Sequence, residues 1–387
     1  MTFFSVIALL TILLFPFGQL TRTSLIRSEI AFYWHDITIL LILLIKRDHI
    51  PPIIKNNLYL LGFLVFAVFS LVLDTSILSL SEVTVSSCYL WRWLAYTLFV
   101  IILLRNKDKF LAKRLSSYLA ITIVLSLTVG LIQYTFFPKF EAIHAAGWDR
   151  HAFRLAGTWL DANYTGLLLT LMLFWLFDRL RKLKLNPYLH GLIIVITFIS
   201  LLLTYSRSAY LALFVGSLVY FAKKKKMYVA VGLCLLVLLS LTLLPRKFGE
   251  GTKLERISTV TARIGNWQES RELIEQKPVF GYGFNTLRYI KRDVGLEDEK
   301  WQVTHSGSGL DNSLFFLLAT VGFAGTFQFF LFWKELLGKI KKTPLLLASL
   351  SAVIVHGMFT NSWFYAWALL WIYFVIGEEN TTECMSR

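Results

Sequence analysis

Apolar runs recur along this chain at close to the roughly 20 residues that an α-helix needs to cross a bilayer, with short polar connectors between them. The first run ends near Phe17, and a connector carrying Arg22, Arg27 and Glu29 follows. Further runs cover Ile30–Ile45, Leu58–Leu73, Tyr89–Leu104, Tyr118–Phe136, Tyr164–Phe177 and Leu189–Thr204. An eighth extends from the Tyr205–Ser208 turn to Lys223–Lys226, and the ninth is Met227–Leu244. After a long polar interval come Ser313–Trp333, Leu345–Thr360 and Trp363–Ile376. The pattern predicts an all-α integral membrane protein, a polytopic bundle of about twelve transmembrane helices with one large, mainly helical extracytoplasmic loop. The expected organisation is transmembrane helices in residues 1–136, an extracytoplasmic loop at 137–163 and further spans at 164–244. The large loop at 245–312, spans at 313–377 and a cytoplasmic tail at 378–387 complete it.

Composition agrees. Hydrophobic residues make up 56% and charged residues 16% of the 387, against about 45–50% and about 25% in soluble domains, and the mean hydropathy is +0.62. Residues 1–20 have neither a basic leading segment nor a small-residue cleavage site, so they read as a retained span. The net charge of +15 does not point to nucleic acid, because many of the cations cluster in connectors between spans, as insertion topology requires. Cys88, Cys234 and Cys384 show no disulfide or metal-ligand spacing.

With a cytoplasmic N-terminus, the connectors beginning at Lys46, Arg105, Arg179, Lys223 and Lys334 lie inside, and every one is basic. That satisfies the positive-inside rule. Arg22 and Arg27 then fall outside and Glu378 and Glu379 inside, against the trend. Both termini are expected in the cytoplasm and both polar intervals outside. The first third of the longer interval carries Arg246, Lys247, Lys253, Arg256 and Arg263 against Glu250 and Glu255. A basic face hung between apolar helices suits an anionic, lipid-attached substrate.

Several residues there carry candidate chemistry. Arg207, at the outer end of the eighth run, has the planar fork that binds phosphate bidentately, or it snorkels to headgroups. Arg92 lies inside the fourth run, where an ionisable group reads as functional by default, although it too has the length to snorkel. Arg154, Gly157, Asp161 and Asn163 form a polar lip before the sixth run, with Asp161 or Asn163 as a helix cap. Arg256 and Arg263 stand seven apart, on one face of a predicted helix, with Trp267 as the neighbour of Arg263. Lys277–Pro278 ends that helix. Gly281 and Gly283 then allow a tight backbone path or exposed amides for an anion. Asp311, next to Asn312, is either a cap or a general base for an acceptor hydroxyl. His305 is the other candidate base. His356 is placed to reach the same mouth or to serve as a helix–helix hydrogen-bonding residue.

At these residues the chain resembles the O-antigen ligase and polymerase superfamily, which includes bacterial protein O-oligosaccharyltransferases. The likeness covers about residues 140–377 and rests on ordered motifs. These are Arg154-Leu-Ala-Gly-Thr, Tyr-Ser-Arg207-Ser-Ala-Tyr, Arg263…Trp267, Pro-Val-Phe-Gly281-Tyr-Gly283 and Asn312-Ser, then Gly322 and Gly325. The resemblance implies transfer of a glycan from a polyprenyl-diphosphate donor to a glycan, lipid or protein acceptor. It places the transfer outside the cytoplasmic (inner) membrane of a bacterium and implies no metal, cofactor or nucleotide sugar. It also implies that Arg207 and Arg263, with Arg154 and Arg256 as further candidates, hold the diphosphate leaving group. The chain departs from the ligase motif in one place, carrying Asp311 where the family has His before Asn. Two other functions stay open: a polymerase that joins lipid-linked repeat units, and a flippase that moves lipid-linked glycans unchanged. Transporters tend to show ionisable residues or broken helices at mid-membrane. The candidates here collect at outer span ends instead, which favours an enzyme.

Overall fold

Helix starts along this chain are set by short polar side chains that accept from first-turn amides, which have no partner within the helix. A computed structural model describes residues 2–24, 30–73, 78–106, 108–141, 147–179, 186–246, 248–296 and 309–383. Its helices, in chain order, are α1 (Phe3–Leu14), α2 (Trp34–Ile45), α3 (Leu58–Leu73), α4 (Leu80–Arg105) and α5 (Lys109–Phe136). Then come α6 (Ala162–Arg179), α7 (Pro187–Leu202), α8 (Arg207–Lys223), α9 (Met227–Leu243), α10 (Ser258–Gln276) and α11 (Leu287–Asp293). The series ends with α12 (Ser313–Gly338), α13 (Pro344–Gly357) and α14 (Ala366–Glu383), and a short helix at Ile50–Lys55 precedes α3. Ser79 caps α4 in a capping box with Glu82, Asp108 caps α5, and Asn186, Ser206 and Thr343 cap α7, α8 and α13. Among the described residues the β pairing is one isolated bridge, Thr23 with Phe32.

The protein is thus an all-helical membrane protein. Residues 3–21, α4, α5 and α12 are each long and apolar enough to cross a membrane. Residues 47–55 and 58–73, bent at 92°, make a fifth if taken as one broken span. Helices α2, α7, α9 and α13 are apolar but shorter. Several boundaries differ from the hydropathy reading. The second apolar run forms a helix only from Trp34, and it encloses His35 and Asp36. The cations Lys109, Lys113 and Arg114 belong to the first turns of α5 rather than to a connector.

The innermost helix is α14. Residues 366–379 are buried without interruption, the mark of a helix enclosed on all sides. It packs against α4, α5, α6 and α13. Glu378 and Glu379 therefore do not sit in a free tail. Their helix continues to Glu383, and Arg179 at the end of α6 donates to Glu378 (2.8 Å) and to Glu379. Asp178 also accepts from Arg179, at 2.6 Å, and pairs with Lys224 at 3.3 Å. The two glutamates that ran against the charge pattern are neutralised within the fold.

One break in α12 fixes the large loop. At Gly322 the backbone turns to φ 63°, and the i→i−4 ladder fails. The Pro278–Gly283 segment fills the gap. Tyr282 N and Gly283 N donate to the carbonyls of Ala319 (2.9 Å) and Thr320 (2.8 Å). Phe323 N and Ala324 N donate in return to Pro278 (2.8 Å) and Val279 (3.2 Å). Backbone groups inside an apolar helix must find partners in the protein, and here loop and helix exchange them. Lys277 caps the end of α10 just before this segment, as the proline signal predicts. The amides of Tyr282 and Gly283 face α12, and that of Gly281 donates to Lys277 at 3.1 Å, so these amides are not exposed for an anion. What the glycines supply is close approach: a Cβ on Gly322 would lie 2.2 Å from Val279 O, and one on Gly281 2.5 Å from Thr320 C. Gly322→Ala is expected to destabilise the protein by roughly 2–4 kcal/mol, seen as a lower unfolding midpoint in detergent. Gly265→Ala, within α10 where a Cβ meets open space, is the control and should be neutral or slightly stabilising.

Candidate active site

The first residues of α6, α8 and α12 and the last of α13 meet at one end of the bundle, and their polar side chains form one network. Arg154 sits at its base, 5% exposed. It donates to Thr204 O at 2.8 Å and to Asn163 Oδ1 at 3.1 Å, and its Nη1 lies 3.3 Å from His151 Nδ1. Burial, reinforced by the charge of Arg256, pulls its guanidinium down to about 10. Arg154 thus ties the 147–163 segment to the turn before α8. Gly157 takes φ +57° beside Trp159 and Gly130, and its amide donates to Gln133 Oε1 at 2.9 Å.

Asp161 is the cap of α6, accepting from Asn163 N (2.6 Å) and Tyr164 N (3.1 Å). Burial alone would raise its carboxyl, but His151 at 3.6 Å, these amides and Arg154 hold it below the usual carboxylate range. Asn163 accepts from Ser206 Oγ as well (3.2 Å), linking α6 to α8. His356 is wholly buried, with Nδ1 2.6 Å from Ser362 Oγ and Nε2 3.1 Å from Asn163 O. Both ring nitrogens are engaged between helices, so His356 joins α13 to α6 and presents no nitrogen to a mouth.

Arg207 reaches across to the large loop. Its guanidinium donates to the carbonyls of Leu254 (3.2 Å) and Arg256 (3.3 Å) and to Thr259 Oγ1. Arg256 in turn donates to Gly251 O (2.6 Å) and Lys253 O (3.1 Å). The shared helical face expected for Arg256 and Arg263 does not exist, because α10 begins only at Ser258. The two still converge, since both depress the Arg154 guanidinium.

Arg263 and Asp311 differ from the rest. Arg263 is half-buried on α10, its guanidinium 5.7 Å from the Phe359 ring centre. Among the described residues it donates no hydrogen bond. Burial lowers its pKa, Asp311 opposes that, and Arg207 adds to it. Asp311 is not the cap of α12. Asn312 is, with Oδ1 accepting from Leu314 N (2.9 Å) and Phe315 N (3.2 Å) and Nδ2 donating to Met358 O (3.2 Å). Asn266 on α10 accepts from the backbone N–H of Asp311 at 2.9 Å. The Asp311 carboxylate accepts no hydrogen bond among the described residues. Burial raises its pKa above the ordinary carboxylate value, and the charges of Arg263 and Lys291 only partly offset this. A half-buried carboxylate with no hydrogen bond among the described residues, under the electrostatic influence of a guanidinium that likewise donates none there, can take a proton next to a developing negative charge. Those are the needs of acyl, phosphoryl or glycosyl transfer to a hydroxyl.

Two cavities lie at this end of the bundle. One, of about 360 Å³, has Asp311 in its wall together with Arg22, Arg92, Arg288 and many aromatic rings. The other, of about 530 Å³, is an apolar groove between α10 and α12 lined by Ile264, Trp267, Ile274, Phe315 and Leu318. Trp267 packs edge-on against Phe315 there.

Arg92 does not snorkel. It pairs with Asp36 at 3.2 Å, donates to Ala31 O and lies 5.1 Å from the ring centres of both Tyr33 and Tyr89. The partner Asp36 was hidden in an apolar run, although an aspartate flanked by Trp34 and His35 is the kind of intramembrane ionisable group that marks a function. Lys291, 4% exposed and 3.3 Å from Glu269, gave no pattern signal, because a cation in a mixed-charge loop looks like solvated surface. His305, the alternative base, lies outside the described residues.

Residues 192–330 match the family described as O-antigen ligase. The matched part, about a third of the chain, holds Arg207, Arg256, Arg263, Trp267, Gly281, Gly283, Asp311, Asn312 and Gly322, and over this stretch the chain is similar to the O-antigen ligase superfamily. No curated protein matches the chain at a significant level. The match, with the apolar helices, supports an integral membrane enzyme of O-antigen ligase or polymerase type, a family that implies a lipid-linked glycan donor and an acceptor in the membrane.

Because Arg207 anchors the loop before α10, Arg207→Ala should speed amide hydrogen exchange in residues 254–262 by an order of magnitude or more, about 1.4 kcal/mol of local protection. Unchanged exchange there would remove its anchoring role.

Proposed function

We propose that this chain transfers a glycan from a polyprenyl-diphosphate carrier to an acceptor hydroxyl, as a ligase, on the outer face of a bacterial cytoplasmic membrane. The observation that carries this reading is the Asp311 carboxylate, freed from capping by Asn312 and electrostatically coupled to the Arg263 guanidinium, which donates no hydrogen bond among the described residues. The acceptor oxygen attacks the anomeric carbon and its proton passes to Asp311. The carbon–oxygen bond to the diphosphate breaks, and the departing oxyanion keeps the electron pair. Arg263 meets that charge, with Arg207, Arg256 and Arg154 behind it adding positive potential. The groove beside Arg263 has the apolar lining that an isoprenoid tail requires. On this reading no metal or cofactor takes part.

The topology we propose has about twelve crossings, both termini in the cytoplasm and the active site outside. The basic connectors at Lys46, Arg105, Arg179, Lys223 and Lys334 support it. The pairing of Arg179 with Glu378 and Glu379 removes one objection. The arginine cluster and Asp311 lie at the opposite ends of α6 and α8 from Arg179 and Lys224. A flippase is less well supported. The broken α12, a feature of transporter sites, is filled by the Pro278–Gly283 backbone and so lines no path. A polymerase would use the same step with a carrier-linked glycan as acceptor.

In proteoliposomes with a polyprenyl-diphosphate oligosaccharide, Asp311→Asn should slow transfer about 10²–10⁴-fold. Arg263→Ala should slow it about 10²–10³-fold. Transport of intact lipid with no product would overturn the reading. The base must be ionised, so transfer should fall as pH drops through the raised pKa of Asp311. Lys291→Gln removes one of the two cations that lower that pKa, so the acid limb should move to higher pH. A limb that stays in place would mean that another group titrates.

A further inference from the structure

The aromatic cavity beside Asp311 has no part in the donor chemistry just described. We infer that it is a saccharide-binding site that holds the sugar end of the acceptor, with the attacked hydroxyl turned to Asp311. This inference rests on the transfer reading for its direction, but the site itself is argued from its own walls.

Its volume of about 360 Å³ falls in the range of small-molecule sites, about 300–1,000 Å³. Its lining combines flat rings with polar groups: Tyr89, Trp148 and Trp367 beside Gln19, Arg22 and Asn361. Sugar rings present an apolar C–H face and an edge of hydroxyls. The face packs on the electron-rich plane of an aromatic ring, and the hydroxyls need donors and acceptors around the rim. An isoprenoid chain needs neither, and the mainly apolar groove between α10 and α12, with Gln268, Arg271 and Glu275 at its edge, suits it better. The aromatic cavity has Asp311 in its wall, while the groove takes its lining from Ile264 and Trp267, which follow Arg263 on α10, so the two lie on different sides of the start of α12.

The origin of the wall points the same way. Gln19, Arg22, Tyr89, Arg92 and Trp148 all precede residue 192, outside the part that matches the O-antigen ligase family. Asp311 and Arg263 lie inside it. Chemistry common to a family belongs to the part its members share, and selection among acceptors belongs to the part they do not. The wall is also rigidly built. Tyr33 N donates to Asp36 at 2.9 Å and Asp36 pairs with Arg92, whose guanidinium lies over the rings of Tyr33 and Tyr89. Arg22 lies 5.8 Å from the Trp148 ring centre on the far side.

The test uses the full-length protein in detergent and oligosaccharides released by mild acid from the membranes in which it is naturally made. Binding is read by tryptophan fluorescence without donor, then the same oligosaccharides serve as acceptors. Wild type should bind them saturably. Tyr89→Ala should weaken binding and raise the acceptor KM about tenfold, with the donor KM unchanged. Tyr89→Phe, which keeps the ring, should stay close to wild type. Equal binding by wild type and Tyr89→Ala would overturn the inference. So would competition by a water-soluble short-chain polyprenyl diphosphate, which would give the cavity to the donor. Saturable binding lost in Tyr89→Ala, in a protein that transfers nothing, would uphold the saccharide site and reject the transfer reading.

Discussion

The exchange of backbone hydrogen bonds between the α12 break and the Pro278–Gly283 segment is the contact on which the active end of this protein depends. A helix interrupted among apolar neighbours leaves amides and carbonyls that lipid cannot satisfy. The loop supplies partners for them and receives partners for its own. The long polar interval is thereby pinned at its centre. Its two helices take fixed places on either side, α10 over the start of α12 and α11 against α4, where Arg292 pairs with Glu82 and Ser86 donates to Asn285 O at 3.2 Å. Asp311 and Arg263 owe their positions to this seat.

A second constraint is electrostatic. Arg154, Arg207 and Arg256 hold backbone carbonyls and so build the platform, leaving Arg263 as the cation whose donors have no described partner. Asp161 is locked in its charged state by amides, His151 and Arg154, whereas Asp311 is lifted by burial and lacks such bonds. Two carboxylates close enough to influence each other's neighbours thus have opposite characters. One is structural, and the other is the group proposed above as the base.

Much of this was legible in the residues. Helices, loop positions, the proline stop after α10 and the candidate arginines follow from hydropathy, charge and local rules. The roles within the set did not follow. Asp311 read as either a cap or a base, and only the direction of the Asn312 side chain shows that the asparagine takes the amides. Arg256 and Arg263 looked like one helical face because a spacing of seven carries no sign of where a helix begins. Gly281 and Gly283 looked like anion-binding amides because a turn sequence does not reveal that its partner is a break forty residues further on. Asp36 was lost in an apolar run because averaging over a window hides one charge whose counterion, Arg92, lies on another helix.

The burial of Arg179 has a consequence for how the protein is made. Its partners Glu378 and Glu379 are synthesised about two hundred residues later, while the ribosome adds roughly 5–20 residues per second. For some tens of seconds, α6 exists with a cation whose one partner among these carboxylates is Asp178, the two glutamates having not yet emerged. Since α14 also fills the middle of the bundle, the helices around it cannot close until it arrives. Maturation therefore has a late step: a nascent chain halted before residue 378 would keep Asp178 beside Arg179 but lack the two glutamates and the central helix that complete the bundle.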